Sequence, residues 1–137
     1  MVDTFTKAER SRIMAAVKSK DTTPELAVRR LVHAMGFRYR LHDRDLPGTP
    51  DIVFPRLQKI IDVRGCLWHR HRCPRCRVPS SRRDYWVAKL ARNAARDVRN
   101  LRTLRRLGWK TLVLWECQIR PGKMGRLGVK VARFLNG

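Results

Sequence analysis

The stretch Pro50-Asp51-Ile52-Val53-Phe54-Pro55-Arg56-Leu57-Gln58-Lys59-Ile60-Ile61-Asp62-Val63-Arg64 contains two β-rich runs. Residues 51–54 read as a short strand that Pro55 ends, since proline cannot donate to a ladder. Residues 59–64 read as the next strand and the antiparallel partner of the last. On the N-terminal side, Pro47-Gly48-Thr49-Pro50 is a turn, and the alternation in residues 37–41 predicts a half-buried strand. Thr22-Thr23-Pro24-Glu25 has capping spacing and opens a helix that Gly36 stops, and Thr6-Lys7-Ala8-Glu9 opens an earlier one reaching about residue 20.

On the C-terminal side, residues 65–80 carry no periodicity, only glycine, prolines, arginines and metal-binding side chains. A long helical pattern follows from Ser81, with Trp86, Leu90, Val98, Leu101 and Leu104 at helical spacing, and stops at Gly108. Lys110-Thr111-Leu112-Val113-Leu114-Trp115 is a strand, and residues 124–134 form a last short helix. Strand, long helix and strand imply a parallel pair with a right-handed crossover. The expected fold class is α/β, a mixed central sheet flanked by helices, in a single domain over residues 1–137.

Lysine and arginine number 32 against 11 acids, a net charge of +21. Such a surface repels itself unless a polyanion neutralises it, so nucleic acid is the expected partner. No apolar run approaches the roughly 18 residues of a membrane span, and the N-terminus has no signal-peptide pattern. A cytoplasmic, nucleoid-associated protein is expected, with no membrane partner.

Chemistry-bearing residues fall into two groups. Asp51 and Asp62 lie on neighbouring predicted strands, and two such carboxylates can converge on a hard cation such as Mg²⁺. Arg64, two residues on, points to the same face as Asp62 and could stabilise phosphorane charge. This spacing resembles the PD-(D/E)xK nuclease signature, with Asp and Arg in its second half. The two acids also read as solvent-facing counterions. Cys66, Cys73 and Cys76 crowd together with His69 and His71, and a fourth cysteine is Cys117. Thiolates and imidazoles suit tetrahedral Zn²⁺, so these six residues compete for four positions. A structural zinc in the loop at about 65–80 could supply on the order of 10–16 kcal/mol to folding.

Four motifs stand in order: Pro47-Gly48-Thr49-Pro50-Asp51; Gly65-Cys66-Leu67-Trp68-His69-x-His71-x-Cys73; Trp86-x-x-Lys89-x-x-x-Asn93-x-x-x-Asp97; and Gly108-Trp109 with Val113-Leu114-Trp115-Glu116-Cys117. Together they resemble the very short patch repair (Vsr) endonucleases from about residue 11 to residue 117. The resemblance implies a restriction-endonuclease-like fold with a structural zinc loop. It implies Mg²⁺-dependent nicking of double-stranded DNA 5′ of the thymine in a T·G mismatch left by deamination of 5-methylcytosine. A nick in one strand suits a monomer, and coupling to other repair proteins is a further expectation.

By that resemblance Cys66, His71, Cys73 and Cys117 hold zinc, leaving Cys76 surplus. Asp51 and the Val63 carbonyl hold Mg²⁺, His69 is the general base or acid, and Glu25 hydrogen-bonds a water of the metal. Read locally, Glu25 is only a helix-cap glutamate, and His69 is a further zinc-shell histidine. Leu67, Trp68 and Trp86 form the major-groove wedge, although both tryptophans also read as core, and Met14 enters from the minor groove. Lys89 and Asn93 face DNA beside Trp86, and Arg70, Arg72, Arg75, Arg77, Arg82 and Arg83 contact phosphates. The chain departs from the family where it has Arg64 for histidine, Asp62 for an apolar residue and Leu67 for an aromatic one. These departures predict weakened activity. Two other readings remain: a non-catalytic zinc-containing nucleic-acid-binding module, and a site-specific nuclease of the same fold that cuts paired duplex.

Overall fold

A computed structural model describes residues 22–66 and 82–137. Helix α1 spans Thr23–Ala34. Thr22 Oγ1 accepts from the Glu25 N–H at 3.3 Å and Pro24 sits in the first turn, where a missing N–H costs nothing. Gly36, at φ 84°, stops the helix. Its N–H donates to His33 O at 3.0 Å and the Phe37 N–H to Val32 O at 3.2 Å, closing a Schellman motif.

The sheet has four strands in the order β1 (Arg40–Leu41), β2 (Ile52–Phe54), β3 (Lys59–Arg64) and β4 (Lys110–Trp115). β2 to β3 is antiparallel and β3 to β4 is parallel, as the sequence predicts, and β1 pairs antiparallel with β2. The strand expected over 37–41 is shorter than its alternation suggests. Phe37 and Tyr39 instead pack edge-on against Phe54, each at 6.2 Å, so their burial comes from ring contacts ahead of the ladder.

Helix α2 (Arg83–Arg106) makes the crossover between β3 and β4, and helix α3 (Met124–Asn136) follows two short 3-10 turns. Both sheet faces are covered. On one, Ile52, Phe54, Ile61 and Leu114 meet Val28 and Val32 of α1 and Leu127, Val131 and Leu135 of α3. On the other, Val53 and Ile60 meet Leu104 of α2 with Leu46 and Trp109. A strand buried on both faces reads as an unbroken apolar run, which is what β2 is.

Lys59 is buried at the start of β3. Its Nζ donates to the carbonyls of Phe134 at 2.6 Å, Leu135 at 3.3 Å and Gly137 at 2.8 Å. The ammonium thereby satisfies the open carbonyls ending α3 and lies at the negative end of that helix dipole.

Candidate active site

The β1–β2 ladder runs on beyond its strands. The His42 N–H donates to Asp51 O at 3.0 Å and the Asp43 N–H to Pro50 O at 3.3 Å. The turn that follows approaches α2 closely: a Cβ on Gly48 would stand 2.7 Å from Asn100 Nδ2. Glycine there lets the turn lie against the helix and sets Asp51 at the mouth of the sheet.

Asp51 reaches across to β3, where its Oδ2 accepts from the Val63 N–H at 2.8 Å. The register Ile52↔Ile61 places Asp51 opposite Asp62 at the next step. Burial, then the charge of Asp62 and a hydrogen bond to it, push the Asp51 carboxyl up from 3.8 to about 9. Glu25 adds to the rise, and the Val63 N–H opposes it. Protons or a cation must therefore compensate this cluster of acids.

Glu25, at 2% exposure, enters from the first turn of α1. It pairs with Arg29 one turn on, and His42 Nε2 lies 3.1 and 3.0 Å from its two carboxylate oxygens. Ligand atoms of Glu25, His42 and Asp51 all fall within 4.8 Å of one another. On the α2 side, Arg64 Nε donates to Asp62 Oδ2 at 3.1 Å, and Arg64 Nη1 lies 4.0 Å from Asp97 Oδ2. Gly48, Pro50, Asp62, Arg64, Asp97 and Asn100 line a narrow cleft between turn, sheet and α2.

Carboxylate oxygens converging in this way fit a hard divalent cation, and one imidazole within reach is compatible with it. The DNA mismatch endonuclease Vsr family model matches residues 2–75. The chain is 45% identical over 136 residues to the type II nicking enzyme V.XorIIP of Xanthomonas oryzae, covering 99% of this chain and 96% of that protein. It is 38% identical over 120 residues to the DNA mismatch endonuclease Vsr of Escherichia coli, covering 88% and 77% respectively. A second type II nicking enzyme, V.NmeAIP of Neisseria meningitidis, is also 38% identical over 120 residues, covering 88% and 86%. The chain belongs to the Vsr endonuclease family.

This Vsr-family protein is thus a DNA endonuclease, and its mixed α/β fold is consistent with a nuclease-like core. The structure brings together Glu25, Asp51, Asp62, Val63 and Arg64. Arg64, 8% exposed, lies between Asp62 and Asp97 with its guanidinium over the Trp115 ring. Val63 meets Asp51 through its N–H.

Cys66, fully buried, and Cys117 each lie two residues beyond the paired positions Arg64 and Trp115, at the same end of neighbouring parallel strands. Trp86 is 9% exposed and edge-on to Tyr85 at 5.6 Å, with Lys89 Nζ 5.9 Å from both ring centres. Asn93 Oδ1 accepts from Arg96 at 2.7 Å. Met14, Leu67, Trp68, His69, His71, Cys73 and Cys76 lie outside the described residues. Among the described residues no helix is long and apolar enough to cross a membrane.

Sequence reasoning missed His42. A lone histidine after a strand carries no signal of its own, and only the β1–β2 register reveals that it faces Asp51. It also cited Asp97 only as part of a motif, because its pairing with Arg64 joins residues far apart in the chain.

Proposed function

We propose that this Vsr-family endonuclease makes a Mg²⁺-dependent single-strand nick 5′ of the thymine of a T·G mismatch arising from 5-methylcytosine deamination. The observation that carries the reading is the half-buried Asp51, whose carboxyl, opposed by Asp62 and flanked by Glu25, is driven toward the protonated form. Such crowding is relieved by a divalent cation. When bound, the cation polarises the phosphodiester and makes water a better nucleophile at neutral pH.

Asp51 and the Val63 carbonyl would hold it. Both main-chain groups of a strand residue point the same way, so that carbonyl faces the edge where the Val63 N–H meets Asp51. Asp62 adds a second carboxylate, and Arg64 holds it in place. Glu25 accepts a hydrogen bond from the attacking water, and His69 moves the proton.

Zinc is the second metal of this reading, held by Cys66, His71, Cys73 and Cys117. The shared end of β3 and β4 favours it, since two of the four ligands start from adjacent strands. Elemental analysis should find one zinc per chain, lost in Cys73→Ser. Met14, Leu67 and Trp68 wedge the mismatch open. Trp86, being buried, backs Tyr85 and Lys89. Tyr85, Arg92, Arg96 and Arg99 lie exposed at helical spacing along α2, and with Lys89 and Asn93 they face the duplex. One nick in one strand needs one copy of the chain, so the enzyme acts as a cytoplasmic monomer.

A second reading is nicking of a specific site in paired duplex, favoured by the relatives whose names say type II nicking enzyme. Duplexes with T·G and with fully paired T·A or C·G at one position, each with and without Mg²⁺, separate the two. Asp51→Ala should lower nicking about a thousandfold, the several kcal/mol a catalytic metal supplies, while DNA binding survives. An Asp51→Ala enzyme that cuts like wild type removes this site from the reaction.

A further inference from the structure

His42 links the two sides of the acid cluster through both its main chain and its ring. Its N–H is fixed to Asp51 O at 3.0 Å, so it stands directly across the sheet edge from the central carboxylate. Its backbone is left-handed, at φ 48°, a conformation that a Cβ disfavours. Strain of this kind persists only where the surroundings hold the residue. Here the ladder holds one end, and the ring reaches back to Glu25, with Nε2 at 3.1 and 3.0 Å from its oxygens. Carboxylate oxygens accept and do not donate, so Nε2 carries the proton of this contact. Arg29 grips Glu25 from within α1. Without the imidazole this hold from the sheet side is lost, while Arg29 still draws Glu25 along its own helix.

We propose that His42 is a positioning residue of the cation site, donating from Nε2 to keep the Glu25 carboxylate beside Asp51. This rests on the reading of Asp51 as the centre of that site. Glu25 and Asp51 repel each other, and the His42 donor on the sheet side offsets that repulsion. The left-handed turn is the device that aims the ring, because an extended residue at this position would send its side chain elsewhere. The cation site thus depends on a residue just past β1, although its carboxylates come from α1, the residue before β2, and β3.

The test is binding of Mn²⁺ to the full chain without DNA, followed by electron paramagnetic resonance, in wild type, His42→Ala, His42→Gln and Asp51→Ala. Loss of a partner that orients a ligand typically weakens metal binding about tenfold or more. His42→Ala should show that loss, and His42→Gln, whose amide keeps an N–H donor, should recover most of it. The KM for duplex DNA should stay unchanged in both variants, whereas the Mg²⁺ concentration for half-maximal nicking rises in His42→Ala. If His42→Ala does not fold, His42→Asn replaces it, since asparagine tolerates the left-handed turn but its amide is too short to reach Glu25. Wild-type Mn²⁺ affinity in His42→Ala or His42→Asn, with affinity lost in Asp51→Ala, overturns the role of His42 and leaves the cation site standing. A directly bound ¹⁴N of His42 on the Mn²⁺ overturns it as well, making the residue a ligand. Undiminished Mn²⁺ binding in Asp51→Ala overturns the cation site itself.

Discussion

The end of the β2–β3 pair and the outer face of α2 carry opposite charge in one small protein. At the first, Glu25, Asp51 and Asp62 crowd together, partly or fully buried, until Asp51 resists ionisation. At the second, Arg92, Arg96 and Arg99 stand in water. In the proposed reaction both serve one polyanionic substrate. Exposed arginines attract phosphates directly and release their counterions. Crowded acids repel phosphates and can meet one only through a cation, so in the proposed reaction this region decides chemistry and not affinity. The net charge of +21 therefore describes the surface and conceals the site.

Three measurements break or sharpen that contrast. Replacing Arg92, Arg96 and Arg99 together by alanine should weaken binding of paired and mismatched duplex alike. The slope of log affinity against log salt should become shallower by about 0.9 for each phosphate no longer neutralised. An unchanged slope would take α2 out of the DNA interface.

Lys59→Met provides the control within the basic residues. This lysine is buried against the end of α3, so its loss should leave the salt slope alone. Thermal or urea unfolding should instead show a loss of about 1–3 kcal/mol for the orphaned carbonyls. Wild-type stability would mean that water replaces the ammonium at no cost.

The third measurement concerns pH. Asp51 is raised in the folded chain from 3.8 to about 9, so folding favours its protonated form. The stability this contributes is fully present below pH 3.8 and is lost progressively as pH rises toward 9. Metal-free protein should therefore lose stability across that window. Asp51→Asn should flatten the profile, and a divalent cation should oppose the loss at its alkaline end. A metal-free profile identical in wild type and Asp51→Asn would show that Asp51 titrates normally.

Much of this is legible from residues alone. Thr22 and Gly36 mark the bounds of α1 because caps are local chemistry, and the unbroken apolar run of β2 announces burial on both faces. Asp51 and Asp62 can be placed together because two adjacent strands with a short connection have few registers that keep their apolar faces inward, whereas Val63 can be named only from a resemblance. Glu25 can be named only from a resemblance, since locally it is a helix-cap residue. For Arg64 the strand is legible but the neighbours are not. Asp97, which helps to hold it, comes from the middle of a helix whose rotation against the sheet no local pattern states.

The two strand pairs that share β3, the helix ends and the presence of two acids near one sheet edge follow from the sequence by itself, since propensity, capping and period act over a few residues. Tertiary structure decided what those acids touch: His42 against Glu25, Val63 against Asp51, Arg64 between Asp62 and Asp97. Electrostatic energy depends on distance and burial, and both are set only when segments far apart in the chain are packed against each other.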